Sequence, residues 1–131
     1  MPKDLMSIAR DTKYPLEAYL FVQRGLDFTV RRIHGEPPEE ADEQAHQSRH
    51  VSGKDLCFGL RDFAVEEYGM LARTVLKRWN IQRSEDFGQI VFAMVEAGVM
   101  QKTDDDTLDD FDAVLNFSNA FPAEPLLNEK L

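Results

Sequence analysis

A single cysteine, Cys57, among 131 residues rules out an internal disulfide. A lone thiol of this kind suits a reducing compartment. Long apolar runs are missing as well. Nothing approaches the roughly 20 residues of a membrane-spanning helix, and Met1–Arg10 lacks the basic and apolar regions of a secretory signal. The expected location is therefore the cytoplasm, with no membrane partner. Positive charge is also short, with 15 Lys+Arg against 24 Asp+Glu and a net charge of -9. Unspecific binding to nucleic acid or anionic lipid would work against that repulsion, so nucleic acid is a disfavoured partner.

The usual signatures of chemistry are absent too. No serine sits in a GxSxG elbow, no glycines form a GxGxxG or Walker loop, and there is no HExxH. His46 and His50 stand four apart, but no predicted helix holds both imidazoles on one face, so they read as exposed loop histidines rather than zinc ligands. His34 is placed near a helix C-terminus, where the helix dipole accounts for it. Asp104, Asp105, Asp106, Asp109, Asp110 and Asp112 invite a calcium reading that fails on spacing. Counted from Asp104, the sixth position is Asp109 instead of Gly and the twelfth is Leu115 instead of Glu. A solvated turn in which aspartates cap backbone groups explains the cluster better. Cys57, between Leu56 and Phe58, reads as a small core residue. No catalytic residue, metal or cofactor is expected.

What is present is a chain of ordinary globular composition, 43% hydrophobic and 30% charged. Its length suits one domain, residues 1–131, that buries roughly two-thirds of its unfolded surface. A short helix is expected within Met1–Thr12. Pro15 then opens a long helix through Tyr19, Leu20, Leu26, Val30 and Ile33, closed by Gly35. Residues 36–48 carry Pro37, Pro38 and five acids with almost nothing apolar, the composition of an acidic surface loop.

Ser52 with Asp55 predicts a capped helix carrying Leu56, Leu60, Phe63, Ala64 and Tyr68. A second follows from Leu71 to Trp79, ended by Asn80. A third is opened by Ser84, carries Phe87, Ile90, Val91, Met94 and Val95, and stops at Gly98. Beyond Gly98 the period shortens, and Val99–Thr103 with Phe111–Phe117 predicts a two-stranded hairpin. The fold class expected is mainly α (α+β), four or five helices with a C-terminal β-hairpin, an order that a winged helix shares. Residues 118–131 form a C-terminal tail with Phe121, Leu126 and Leu127 as its sizeable apolar groups. It either docks on the domain or binds a partner.

Charge is unevenly distributed. Residues 36–48 sum to -5 and 104–131 to -7, whereas residues 49–83 sum to +3. Within that basic stretch, Arg73 and Lys77 lie one helical turn apart, and Arg78 and Arg83 flank the next turn. These four are the candidate partner- or polyanion-binding residues. The plainer alternative is that they pair with Glu66, Glu67 or the Asp-rich segment. For a DNA-reading third helix, Glu85 and Asp86 stand where phosphates would lie.

The blocks Arg49-His50-Val51-Ser52-Gly53, Leu60-Arg61-Asp62-Phe63-Ala64, Thr74-Val75-Leu76-Lys77-Arg78-Trp79, Glu85-Asp86-Phe87-Gly88 and Val91-Phe92 through Glu96 resemble a family of small uncharacterised bacterial proteins found chiefly in planctomycetes and verrucomicrobia. The likeness runs from about Tyr14 to Phe117. It implies a bacterial cytoplasmic protein and carries no activity, cofactor or catalytic residue. Three readings of function follow: a non-enzymatic protein-interaction or regulatory domain, a winged-helix-like nucleic-acid-binding module, and an enzyme whose site is built from scattered side chains.

Overall fold

The computed structural model describes residues 4–35, 50–100 and 107–121. The acidic loop at 36–48, the hairpin turn expected near Asp104, and the tail after Phe121 lie outside the described residues. The described chain forms α1 (Leu5–Arg10), α2 (Leu16–His34), α3 (Gly53–Tyr68), α4 (Ala72–Arg78), α5 (Ser84–Glu96) and the single turn α6 (Phe117–Ala120). Short 3-10 turns occupy Gly69–Leu71 and Leu108–Phe111.

Local chemistry sets most of these boundaries. Asp4 caps α1 by accepting from the Ser7 N–H at 2.9 Å, and Ser52 caps α3 by accepting from the Asp55 N–H at 3.0 Å. Asn80 takes φ 66 after α4, and the Ile81 N–H reaches back to the Leu76 carbonyl at 2.9 Å, which closes the helix. Gly98 does the same after α5 with φ 81, while the Val99 N–H bonds the Met94 carbonyl at 3.0 Å. Pro15 and Arg83 are the capping residues of α2 and α5, so Leu16 and Ser84 are the first helical residues. Six residues would not hold a helix alone. α1 persists because Ile8 is buried in the common core.

α2 and α3 form the central pair, and their crossing is unusually close. A Cβ on Gly59 would overlap the Thr29 hydroxyl and lie 2.7 Å from Thr29 Cβ and Cγ2. A Cβ on Gly25 would overlap Leu60 Cδ2. Each helix thus offers a glycine to a side chain of the other. The buried Thr29 hydroxyl is satisfied locally, donating to the Gly25 carbonyl at 2.7 Å. The buried face of α2 is Ala18, Tyr19, Phe21, Val22, Gly25 and Thr29. Leu20 and Ile33, expected inside from apolar spacing, are exposed. Small residues, invisible to a search for apolar spacing, set the face that packs.

Along the α2–α3 seam Phe21 and Phe28 both meet Phe63, at ring-centroid distances of 5.4 and 5.3 Å. The seam is flanked by Arg24–Glu67 at 2.7 Å and by Arg32–Asp62. Both ion pairs are solvent-exposed, each worth about 0–1 kcal/mol, so burial of the aromatic rings dominates the pairing.

The expected α+β class is corrected: the fold is all-helical, and no β-strand occurs among the described residues. Among the described residues no winged-helix arrangement is formed. In place of the second hairpin strand, Phe111 closes a 3-10 turn and Phe117 opens α6. The apolar residues there, Phe111, Val114, Phe117 and Phe121, recur every three or four positions, which does not suit a strand. The N–H groups of Ala113, Val114 and Leu115 bond side chains on α5, so no ladder is available to them. The third helix of the predicted trio, α5, buries Ser84, Asp86, Phe87, Gly88, Ile90, Val91 and Met94, and the stripe it leaves toward solvent carries Glu85, Gln89 and Glu96, with no cation to meet a phosphate.

Candidate functional site

The four sequence-predicted cations fall on one rib of the molecule and its continuation. α4 is short and buries Ala72 and Leu76. That register turns Lys77 and Arg78 outward to solvent and leaves Arg73 half-buried. Lys77 and Arg78 occupy the last turn, where positive charge suits the carbonyl end of a helix. The rib is held at its end by Trp79, whose ring packs 5.6 Å from Phe21 and 6.0 Å from Tyr68 between centroids. The Asn80 side-chain amide donates to the Lys13 carbonyl at 2.6 Å. Trp79 is therefore a packing residue and not an exposed stacking platform.

Arg83 lies beyond the turn, exposed, at the start of α5. Its charge acts on Glu85, Asp112 and Tyr14. It thus stands among acids, whereas Lys77 and Arg78 make no ion pair with any described residue. Arg24, Arg31, Arg32 and Arg61, by contrast, each have a carboxylate within ion-pair distance, from Glu67, Asp27, Asp62 and Asp62 respectively. Of the acids offered for pairing with the basic set, Glu67 lies 2.7 Å from Arg24, and Asp112 of the Asp-rich segment feels the charge of Arg83.

Met70 and Leu71, on the 3-10 turn that leads directly into α4, are 56% and 47% exposed. The sequence pattern assigned Leu71 to a buried face. The turn between α3 and α4 resets the helical phase and brings it out. The α4 rib therefore begins with two exposed apolar side chains and ends with two cations.

Two carboxylates expected to crowd the start of α5 behave differently from each other. Asp86 is buried; its Oδ2 accepts from the Gln82 and Arg83 N–H groups at 2.8 and 3.1 Å. Its Oδ1 accepts from the Tyr14 hydroxyl, and Lys13 Nζ lies 3.5 Å away. Burial first, then the hydrogen bond to Asp86, raises the Tyr14 hydroxyl well above the usual tyrosine range. Asp86 is consumed in tying the α1–α2 connection to α5, so it opposes no incoming phosphate. No local signal in the sequence links residues 72 positions apart. Glu85 is drawn toward its neighbours: burial raises its carboxyl, but its own backbone amide, Asp112 and the Ala113 N–H together bring it below its ordinary value. Asp112 is raised, chiefly by its hydrogen bond to Glu85 and by that group's charge.

An open groove of about 530 Å³ runs between α2 and α3, lined by Gln23, Arg24, Asp27, Phe28, Arg31, Phe63 and Glu67. Its arginines are paired across the groove or along α2, so an ionic ligand there would displace existing partners. Cys57 is fully buried, and burial followed by the charge of Glu85 pushes its thiol up to about 12, which removes it as a nucleophile at neutral pH. His34 Nε2 contacts the His50 carbonyl at 2.9 Å, while His46 lies outside the described residues. Among the described residues, no group of three or more His, Cys, Asp or Glu side chains could hold a metal ion. No described helix is long and apolar enough to cross a membrane. No protein-family model, curated protein or solved structure matches the chain.

Proposed function

We propose that the chain is a helical protein-interaction domain whose α4 rib engages an acidic partner with apolar side chains. The observation that carries this reading is the make-up of the rib: it starts with exposed Met70 and Leu71 and ends with exposed Lys77 and Arg78, which have no ion pair among the described residues. Exposed apolar groups rimmed by charge are the surface chemistry of a docking patch. Arg73 lies between these two parts on α4, and Arg83 extends the patch beyond the Asn80 turn. Arg83, set among Glu85 and Asp112, also favours a protein surface of mixed charge over a continuous polyanion.

The test uses a synthetic amphipathic peptide of Glu and Leu, followed by fluorescence anisotropy at low and at physiological ionic strength. Binding should weaken with salt, and Lys77→Glu with Arg78→Glu should weaken it by about tenfold or more, since two favourable exposed contacts become repulsive. A wild-type protein that fails to bind the peptide at low salt refutes the proposal.

A further inference from the structure

Residues 107–121 cross the N-terminal ends of α3 and α5 as a mostly irregular segment whose polar anchors are side chains of the helices. The Ser84 hydroxyl, fully buried, donates to the Phe111 carbonyl at 2.8 Å and accepts from the Val114 N–H at 3.1 Å. Glu85 accepts from the Ala113 N–H at 3.3 Å, and Arg61 Nη1 donates to the Ala120 carbonyl at 3.1 Å. Three aromatic side chains supply the apolar contact. Phe111 sits on a floor made by Gly53 and Gly88, where added Cβ atoms would come within 3.0 and 2.8 Å of its ring. It meets Phe92 at 6.3 Å, Phe117 meets Phe87 at 5.9 Å, and Phe121 meets Phe117 edge to face at 5.0 Å. This is how a short peptide sits in a groove: aromatic anchors in pockets, and backbone groups met by side chains of the host.

The same segment carries two features that oppose its docking. Ala113 adopts φ 52, the left-handed region that a residue with a Cβ avoids. Asp112, on the segment, faces the Glu85 carboxyl on α5, with Asp109 adding a further negative charge and only Arg83 to offset them. Two acidic side chains are thus brought together by the rest of the contact, and the charge of Glu85 works against that of Asp112. Nothing comparable burdens the α2–α3 crossing.

We propose that residues 107–121 are a strap that releases from the α3–α5 groove ahead of the rest of the fold, and that the vacated groove accepts the same segment from a second copy of the chain. The second copy is the occupant of choice because it carries the identical aromatic spacing and backbone groups, so the complementarity seen within one chain is reproduced between two. The groove is thereby a surface for self-association, distinct from the α4 rib.

Native-state hydrogen exchange on the full wild-type chain tests the release. The Val114 and Leu115 amides should exchange at least about tenfold faster than interior α2 and α3 amides, by sub-global opening. Asp112→Asn, which replaces the repulsion with a permanent donor toward Glu85, should slow them without altering the α2 and α3 amides. The trans arm uses Phe117→Ala, which weakens the strap and leaves the groove residues in place. A synthetic peptide of residues 107–121 should raise its Tm in a concentration-dependent way, and a scrambled peptide should not. Strap amides that exchange only with the global rate, or a Tm that the peptide leaves unchanged, would overturn the proposal.

Discussion

Gly59→Ala isolates the feature on which the whole packing of α2 against α3 depends. In an isolated helix this change would stabilise by about 1 kcal/mol, because alanine has the higher helix propensity. In this protein the new methyl would overlap the Thr29 hydroxyl and lie 2.7 Å from Thr29 Cβ and Cγ2. The Cβ is fixed to the α2 backbone, so rotation of a side chain cannot clear it, and the helices must separate by roughly an ångström. Overpacking of that kind costs about 3 kcal/mol or somewhat more. The net expectation is a loss of about 2 kcal/mol, or roughly 6–10 °C in Tm for a domain of this size. Urea denaturation followed by circular dichroism measures it. Gly25→Ala should cost less, since the clashing atom is the end of the flexible Leu60 side chain. Thr29→Ala alone should cost about 1 kcal/mol for the lost methyl. Combined with Gly59→Ala it should cost at least about 1 kcal/mol less than the sum, because it removes the atoms in the way. A Gly59→Ala protein as stable as wild type, or strict additivity in the double variant, would show that the helices do not approach as described.

Three further outcomes follow from separate parts of the molecule. Tyr14→Phe removes the hydroxyl donor from the buried Asp86 carboxylate and should lower stability by about 1–3 kcal/mol, read from the urea midpoint at unchanged slope. The Cys57 thiol, raised to about 12 in the fold, should stay protonated while the unfolded thiol ionises near 9. Stability should therefore fall between pH 9 and about 12, by up to about 1.4 kcal/mol per pH unit from this group, and be insensitive to it below pH 9. Cys57→Ala should flatten that part of the alkaline slope, and native wild-type protein should resist alkylation until it is unfolded. Lys77→Glu with Arg78→Glu should cost about 1–2 kcal/mol, because both side chains are exposed and lose only their favourable interaction with the carbonyl end of α4, so a variant that still unfolds cooperatively well above the assay temperature reports binding and not the fold.

The helices and their ends were written locally and could be read that way. Ser52 with Asp55, Asn80 and Gly98 act through their own backbone neighbours, and the structure places each at the boundary its chemistry dictates. Asp110 likewise accepts from the Thr107 N–H at 2.9 Å, the capping role that the Asp-rich segment suggested. The candidate site was legible in part. The spacing of Arg73 and Lys77 and the outward register of Lys77 and Arg78 are properties of one helix, but the exposed Met70 and Leu71 beside them depend on how a 3-10 turn resets the phase between α3 and α4.

The remainder was decided by contacts between residues far apart in the chain. A glycine in a helix looks like a weakness until a second helix crosses it, as at Gly25 and Gly59. Ser84 looks like a cap until the Phe111 carbonyl arrives to accept its proton, and Asp86 looks like a first-turn charge until Tyr14 covers it. The hairpin reading failed for the same reason. Whether an apolar segment becomes a strand depends on a partner edge for its N–H groups, and here α5 supplied side-chain acceptors instead. By itself the sequence determined the helices, their limits and the uneven distribution of charge, because those follow from interactions within a few residues. Only tertiary structure decided which faces pack, which polar groups are spent inside and which cations remain outside, because burial and pairing are set by neighbours that the local sequence does not contain.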